Sequence, residues 1–408
     1  MKLDNVGLTP RQLRRRENYF VYMNARKEHQ KFRRRLKRRR KKVAFQRKFA
    51  FQDMMTVENL YNAIFKCTKG VSWKYTVQDN ALNAVNVANN IMNKINNYTY
   101  ATEGFVKFYV NERGKMRYIQ SPTFENRVIQ KVLCDKILIP ILTKGEIYDN
   151  GASLKGKGVD FTRKRLVQHM TSFYRKYGSD GWVLQMDFSK YFDKINHAIL
   201  ERELRRRLVD ENVIYCVMRF VKEYGNVGLG LGAQLSQILA TCYPSSLDHF
   251  IKENLRCKYY GRYMDDTYQI YRTKEECELA FENIRYFCKM YLDIDIHKRK
   301  TKIFRLSKGI TFLKCKYKFI GNSGKILKMG GKESIKRELR KIYKFRKLYL
   351  SGELRMDKIL NDYLSYRGHI KKSFDSRFLL MKLDKTFNKN FIEFTKIPIH
   401  KLTRKCLG

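Results

Sequence analysis

Cys257-Lys-Tyr-Tyr-Gly-Arg-Tyr-Met-Asp-Asp-Thr-Tyr-Gln-Ile-Tyr271 is an aromatic, β-rich run with two adjacent carboxylates, Asp265 and Asp266, at its centre. Both flanks have strand composition, so the stretch predicts a β-hairpin with the acids at its turn. Neighbouring carboxylates in such a turn repel each other and bury nothing. A divalent cation that neutralises them would give the pair a purpose. An isolated Asp-Asp pair is more often a solvated turn, so the rest of the chain has to decide.

A third carboxylate decides it. Trp182-Val-Leu-Gln-Met-Asp187 reads as a buried strand that ends on an acid. An antiparallel sheet that sets this strand beside the hairpin brings Asp187, Asp265 and Asp266 together. Hard oxygen ligands suit Mg²⁺, which keeps waters and accepts substrate phosphates as its remaining ligands. Two such ions about 3.5–4 Å apart serve an in-line phosphoryl displacement. One activates an attacking hydroxyl and the other stabilises leaving pyrophosphate.

Composition points to the same kind of partner. The chain has 408 residues, 43% hydrophobic and 13% aromatic, enough for two or three core-bearing units. Its net charge is +47, from 86 Lys and Arg against 39 Asp and Glu, which calls for a polyanion. Nucleic acid is the first candidate and a membrane surface the second. No run of about 18 apolar residues is present to span a bilayer. The N-terminal Met-Lys-Leu-Asp-Asn-Val-Gly lacks a signal-peptide core. Nine scattered cysteines form no Cys-x-x-Cys pair, which fits reduced thiols and a cytoplasmic location and argues against structural zinc.

Along the chain, residues 11–48 form a basic arm with eighteen Lys or Arg, two acids and interleaved aromatics. No Pro or Gly interrupts it, so a long helix is expected, lying on a phosphate backbone rather than serving as a solvated tail. Helical periodicity runs from about 54 to 98. A hairpin follows at Phe105–Val110 and Met116–Gln120, then a helix from about Phe124 to Leu142 with Pro140 near its end. Gly151-Ala-Ser-Leu-Lys-Gly-Lys-Gly158 is a basic glycine-rich loop but not a Walker loop. Beyond it, helices are expected at about 196–208, 211–223, 234–255 and 275–291, short strands around 301–320, and basic helices over 332–390.

With these pieces in order, the chain resembles a prokaryotic-type reverse transcriptase from about Glu103 to Phe319, and weakly to His369. Motif A matches at Asp187-Phe-Ser-Lys-Tyr-Phe-Asp193-Lys-Ile-Asn-His197, and motif C at Tyr263-Met-Asp-Asp266. Motif D resembles Ile294-Asp-Ile-His-Lys-Arg-Lys-Thr301, with His297 where the family usually has Asn. Phe312-Leu-Lys-Cys-Lys-Tyr317 matches the turn before the thumb, and Asn111-Glu-Arg-Gly-Lys-Met-Arg-Tyr-Ile119 the fingers hairpin. Each motif alone is weak; five in family order are strong.

The resemblance implies an α+β right-hand polymerase with an antiparallel palm sheet and a basic helical thumb. It divides the chain into a basic arm (1–50), fingers (51–178), a palm with the carboxylates (179–308), and thumb with C-terminal helices (309–408). Asp187, Asp265 and Asp266 become the catalytic carboxylates and metal ligands, with the Phe188 carbonyl as a further ligand. Two Mg²⁺ ions are the expected cofactors, with Mn²⁺ as a substitute. Lys115 and Arg117 alternate along one strand and can face one triphosphate. Phe192 matches the gate that excludes a 2′-hydroxyl, which argues for DNA over RNA synthesis; a plain core aromatic is the alternative. Lys300 is either a general acid toward pyrophosphate or one more surface lysine. His197 is expected to be structural.

Motif B departs from the family. The usual Gly-x-Pro-Gln-Gly-x-x-x-Ser-Pro is here Gly228-Leu-Gly-Leu-Gly232-Ala-Gln-Leu-Ser236-Gln237. Leu231 replaces the Gln that monitors the incoming base pair, and Gly230 replaces Pro. Losing that amide removes a geometric check. An apolar residue here, with Gln237 after the serine, is similar to the mutagenic enzymes of diversity-generating retroelements and to defence-associated bacterial groups. The resemblance therefore implies an RNA-directed DNA polymerase working with a dedicated non-coding RNA in anti-phage defence. The alternatives are a diversity-generating enzyme and, from another class, an RNA-binding maturase-like scaffold. Implied partners are an RNA template, deoxynucleoside triphosphates and the DNA product, with no membrane. A homo-oligomer or a small accessory protein stays open.

Overall fold

The structure is a computed structural model that describes residues 10–101, 104–112, 114–330, 332–373, 377–396, 398 and 399. In chain order it opens with α1 (Pro10–Gln46), α2 (Phe51–Met54), α3 (Val57–Thr68), α4 (Tyr75–Leu82) and α5 (Ala84–Asn96). A hairpin of β1 (Phe105–Glu112) and β2 (Lys115–Pro122) precedes α6 (Phe124–Val132) and α7 (Ile139–Leu142), joined by a π-helical segment. α8 (Val159–Tyr177) leads into β3 (Trp182–Asp187). α9 (His197–Arg207), α10 (Glu211–Lys222), α11 (Gln234–Cys242) and α12 (Ser245–His249) follow. Then come β4 (Tyr259–Tyr263), β5 (Asp266–Tyr271), α13 (Lys274–Phe287), β6 (Lys302–Arg305), β7 (Ile310–Phe312), β8 (Cys315–Phe319) and β9 (Ile326–Gly330). α14 (Lys332–Leu350), α15 (Met356–Ser373) and α16 (Arg377–Thr395) close the described chain. This is the expected α+β content with antiparallel sheets.

Two compact units emerge. One takes the chain up to 145 and residues 196–239; the other takes residues 146–195 and everything from 240 onward. In the first unit, β1 and β2 pair antiparallel from Phe105↔Pro122 to Glu112↔Lys115. α3 starts on Thr56, whose side chain accepts a hydrogen bond from the Asn59 amide. α3 and α5 bury Leu60, Ile64, Ala88, Ile91 and Ile95 at helical spacing. The single helical pattern expected over 54–98 is broken between Thr68 and Tyr75 and again at Asn83. Gly70, at φ +80°, is the residue that lets the first break turn.

The second unit holds a four-stranded antiparallel sheet in the order β4-β5-β3-β6. β3 sits inside this sheet, and Val183, Leu184 and Met186 are all fully buried. Burying each is worth roughly 1.5–3 kcal/mol. β7, β8 and β9 form a smaller antiparallel sheet; β9 lies beyond the strands expected at 301–320. Tyr268 and Ile270 of β5, Phe312 and Tyr317 of the small sheet, and Ile342, Tyr363 and Phe387 of the closing helices share one core. A continuous helix over 234–255 is not what forms. Pro244, without an amide hydrogen, ends α11 at Cys242, and the helix restarts as α12.

Candidate active site

The site is built by strand register. Asp187, last in β3, stands directly opposite Asp266, first in β5. Asp266 also pairs with Tyr263 of β4, leaving only Met264 and Asp265 in the turn. A two-residue hairpin loop needs left-handed backbone, and Met264 supplies it at φ +55°. A methionine in that region is strained by roughly 1–3 kcal/mol. The expected convergence of the three carboxylates is therefore what the sheet produces.

Their electrostatics follow from that crowding. Burial, then the charges of Asp265 and Asp187, push the Asp266 carboxyl up to about 7. Lys300 donates to both oxygens of Asp187 at 2.9 Å. The hydrogen bond to Asp187 in turn holds the Lys300 ammonium above its ordinary range. Backbone contacts pin the segment carrying Lys300 to the carboxylate strand: the His297 amide donates to the Asp187 carbonyl at 2.8 Å, and the Ser189 amide to the Asp295 carbonyl at 2.7 Å. His297, in place of the family's Asn, thus keeps a backbone role. Phe188 is buried and bridges Ile296.

No group of three or more His, Cys, Asp and Glu side chains forms a preset metal cluster among the described residues. The donor chemistry nevertheless fits a hard divalent cation. Asp187 faces Asp266 across the strand pair with Asp265 in the adjoining turn, Lys300 bonds to Asp187, and burial followed by the neighbouring carboxylate charges pushes the Asp266 carboxyl up to about 7.

Beneath the turn lies a group that sequence reading missed. Arg262 and Asp248 are both fully buried. Arg262 Nε donates to Asp248 Oδ1 at 2.8 Å and Nη2 to Oδ2 at 2.6 Å. Nη2 also donates to the Thr241 carbonyl at 2.9 Å, and Nη1 to the Met264 carbonyl at 3.2 Å. The Tyr260 hydroxyl donates to Asp248 Oδ1 at 2.5 Å. Burial works against the Arg262 charge, and Asp248 more than offsets it. The strained residue beside the paired carboxylates is thus held by an ion pair. The available signal was an arginine inside an otherwise apolar strand run.

The other residues expected to contact a nucleotide divide between the units. Phe192 is half-buried, edge-to-face on Tyr191 with ring centroids 5.8 Å apart. Tyr191 is the core aromatic of the two, its hydroxyl donating to the Ala240 carbonyl at 2.5 Å. Both lie in the second unit with Lys300. Arg117, Leu231 and Gln237 lie in the first, Arg117 and Gln237 exposed and Leu231 partly so. The Lys115 side chain lies outside the described residues. Motif B is tied to the hairpin there: Ile119 bridges Leu231, and the Gln120 amide donates to the Leu231 carbonyl at 3.1 Å. His197 is buried with Nε2 2.7 Å from the Gly228 carbonyl, the structural part expected of it.

The family described as Reverse transcriptase (RNA-dependent DNA polymerase) matches residues 107–320, more than half of the chain. The chain belongs to that family. Among curated proteins, Protein YkfC of Escherichia coli (strain K12) is 23% identical over 248 residues, 49% of this chain and 62% of that protein. The group II intron-encoded protein LtrA of Lactococcus lactis subsp. cremoris is 23% identical over 206 residues, 48% of this chain and 32% of that protein. The chain thus spans less than two thirds of either relative. A telomerase structure from Candida albicans, in complex with a fragment of telomeric RNA, is similar at 13% identity and a TM-score of 0.45. It covers 73% of this chain and 62% of that one.

Proposed function

We propose that this chain is an RNA-directed DNA polymerase that extends a primer by metal-assisted nucleotidyl transfer. The observation that carries the reading is the register pairing of Asp187 with Asp266, with Asp265 in the adjoining turn. Asp187, Asp265, Asp266 and the Phe188 carbonyl would hold Mg²⁺, or Mn²⁺ in its place. Two bound ions would supply the charge that activates the primer hydroxyl and neutralises pyrophosphate. The chain's own part is to place and to exclude. Lys115 and Arg117 would take the triphosphate. Phe192, braced on Tyr191, would close the space that a 2′-hydroxyl needs. Lys300, kept protonated beside Asp187, would deliver a proton to the leaving group, a step worth about 10²–10⁴ in rate. Leu231, without a hydrogen-bonding end, would leave the nascent pair loosely checked.

On this reading residues 51–178 act as fingers, 179–308 as palm and 309–408 as thumb, with the arm over 1–50. The template is a dedicated structured RNA, favoured by the net charge of +47. Anti-phage defence in the cytoplasm is the biological setting favoured by motif B. Mutagenic diversity generation is the alternative, since Leu231 and Gln237 suit both. A scaffold with an idle site is disfavoured by the intact carboxylates. The test is to purify the protein with co-expressed RNA, supply Mg²⁺ and labelled deoxynucleotides, and sequence both the bound RNA and the product. One RNA species copied into DNA supports the reading. A bound RNA that is never copied, with any nucleotide, returns the scaffold.

A further inference from the structure

Helix α1 is built unlike the other helices of this chain. From Arg33 to Lys42, nine of ten residues are basic, with Leu36 the exception. Every residue from Glu28 to Lys41 is exposed. Fourteen residues make nearly four turns, so this stretch is a bare rod about 21 Å long with no packed face. Arg33, Lys37 and Arg40 fall on one side of it, and Arg35, Arg38 and Arg39 on the opposite side. Like charges also stand one turn apart at Arg34 and Arg38, Arg35 and Arg39, and Lys37 and Lys41. Each such pair costs a helix about 0.2–0.5 kcal/mol. Among the described residues, the rod's ion pair of Lys31 with Glu28 at 2.6 Å is exposed and offsets little of that cost.

The root of the rod, by contrast, is fixed. Lys42 Nζ donates to the Arg206 carbonyl at 2.9 Å, and Gln46 Nε2 to the Arg207 carbonyl at 2.7 Å. The Val209 amide donates to Gln46 Oε1 at 2.8 Å, and Lys144 Nζ stands 3.8 Å over the Phe45 ring. A fixed foot thus presents a rod charged on two opposite sides. A lipid surface fits poorly: it takes a broad apolar face, whereas Phe32, Leu36 and Val43 make a stripe one residue wide, flanked by Arg39 and Arg40.

We propose that residues 28–41 of α1 are an RNA-binding rod, contacted by phosphates on two opposite sides at once and stabilised as a helix by that contact. The occupant is structured RNA whose backbones flank the rod. This rests on the RNA partner proposed above and goes beyond it in assigning the segment and its two-sided engagement.

Binding of the full chain to a labelled, bulged RNA hairpin across a salt series tests this, without nucleotides. Two triple variants are compared with wild type: Arg33→Gln, Lys37→Gln, Arg40→Gln, and Arg35→Gln, Arg38→Gln, Arg39→Gln. Glutamine keeps similar helix propensity, so folding is retained. Either triple variant is expected to weaken binding and to lower the salt slope by about 2–3, the share of three phosphates. Amide exchange over Glu28–Lys41 is expected to slow when RNA is added. A change in one triple variant only, or in neither, overturns the proposal. So does unchanged exchange, or equally tight binding to vesicles of phosphatidylserine and phosphatidylcholine. Because no synthesis is read, an inactive polymerase would leave these results untouched and would count only against the enzymatic reading.

Discussion

Crowded charge is the organising fact at the scale of single residues. Burial, then the charges of neighbouring Asp265 and of Asp187 across the strand pair, push Asp266 up to about 7, and Arg262 holds the turn from below. Replacing Arg262 by Gln leaves Asp248 buried without its ion-pair partner. The expected loss is about 3–5 kcal/mol of stability, read by urea unfolding, and primer extension should fall as the Met264 carbonyl loses its donor. A stable and fully active variant would show that the ion pair is idle. Phe192→Val should admit ribonucleotides, measured as the ratio of ribo- to deoxynucleotide incorporation; an unchanged ratio would make Phe192 a plain core aromatic. His169 supplies a pH signature. Burial pushes its imidazole down to about 4 although Asp149 stands 3.6 Å away, with Arg165 and the Tyr268 hydroxyl also in contact. The unfolded chain, near 6.5, binds the proton first, so stability rises with pH across this window. It is fully present above about 6.5 and falls by about 3 kcal/mol as pH drops toward 4. His169→Gln should flatten that part of the unfolding profile.

Among the elements, strands and their turns were the legible part. The two short runs at Phe105–Val110 and Met116–Gln120, the apolar run of β3 and the aromatic flanks of Asp265-Asp266 announced three strand pairings and the convergence of the acids. Helix interruptions were less legible. Pro244 was visible, but the apolar pattern on both sides of it read as one helix. The buried pair of Asp248 with Arg262 was not legible, because fourteen residues separate the two and only the packed sheet brings them together. Motif B carries the departure that matters. Gly230 stands where the family has Pro, and a Cβ there would lie 2.0 Å from the Tyr224 ring. That ring is stacked on Phe105 at 4.3 Å and so has little room to yield. Gly230→Ala should therefore cost about 1–3 kcal/mol in unfolding measurements, and the same substitution made in a Tyr224→Ala background should cost little. An equally stable single variant would show the loop to be pliable.

For the whole molecule, charge is the dominant property. A chain of net charge +47 is expected to owe much of its nucleic-acid affinity to displaced counterions. If six to ten phosphates are touched, affinity for RNA should drop about 10³–10⁵-fold between 50 and 200 mM salt. A flat salt response would move recognition from backbone to bases. The composition points to a polyanionic partner before any element is placed, whereas the division into two compact units, with the chain crossing between them three times, could not be read from a linear pattern. The most direct test of the polymerase claim is incorporation of labelled deoxynucleotides on an RNA template with annealed primer and Mg²⁺. Wild type is compared with the double variant Asp265→Ala, Asp266→Ala, and RNA binding is measured in both. Extension by wild type alone, with equal RNA binding, is the predicted result. Equal extension by both proteins, or none by wild type despite tight RNA binding, would contradict it.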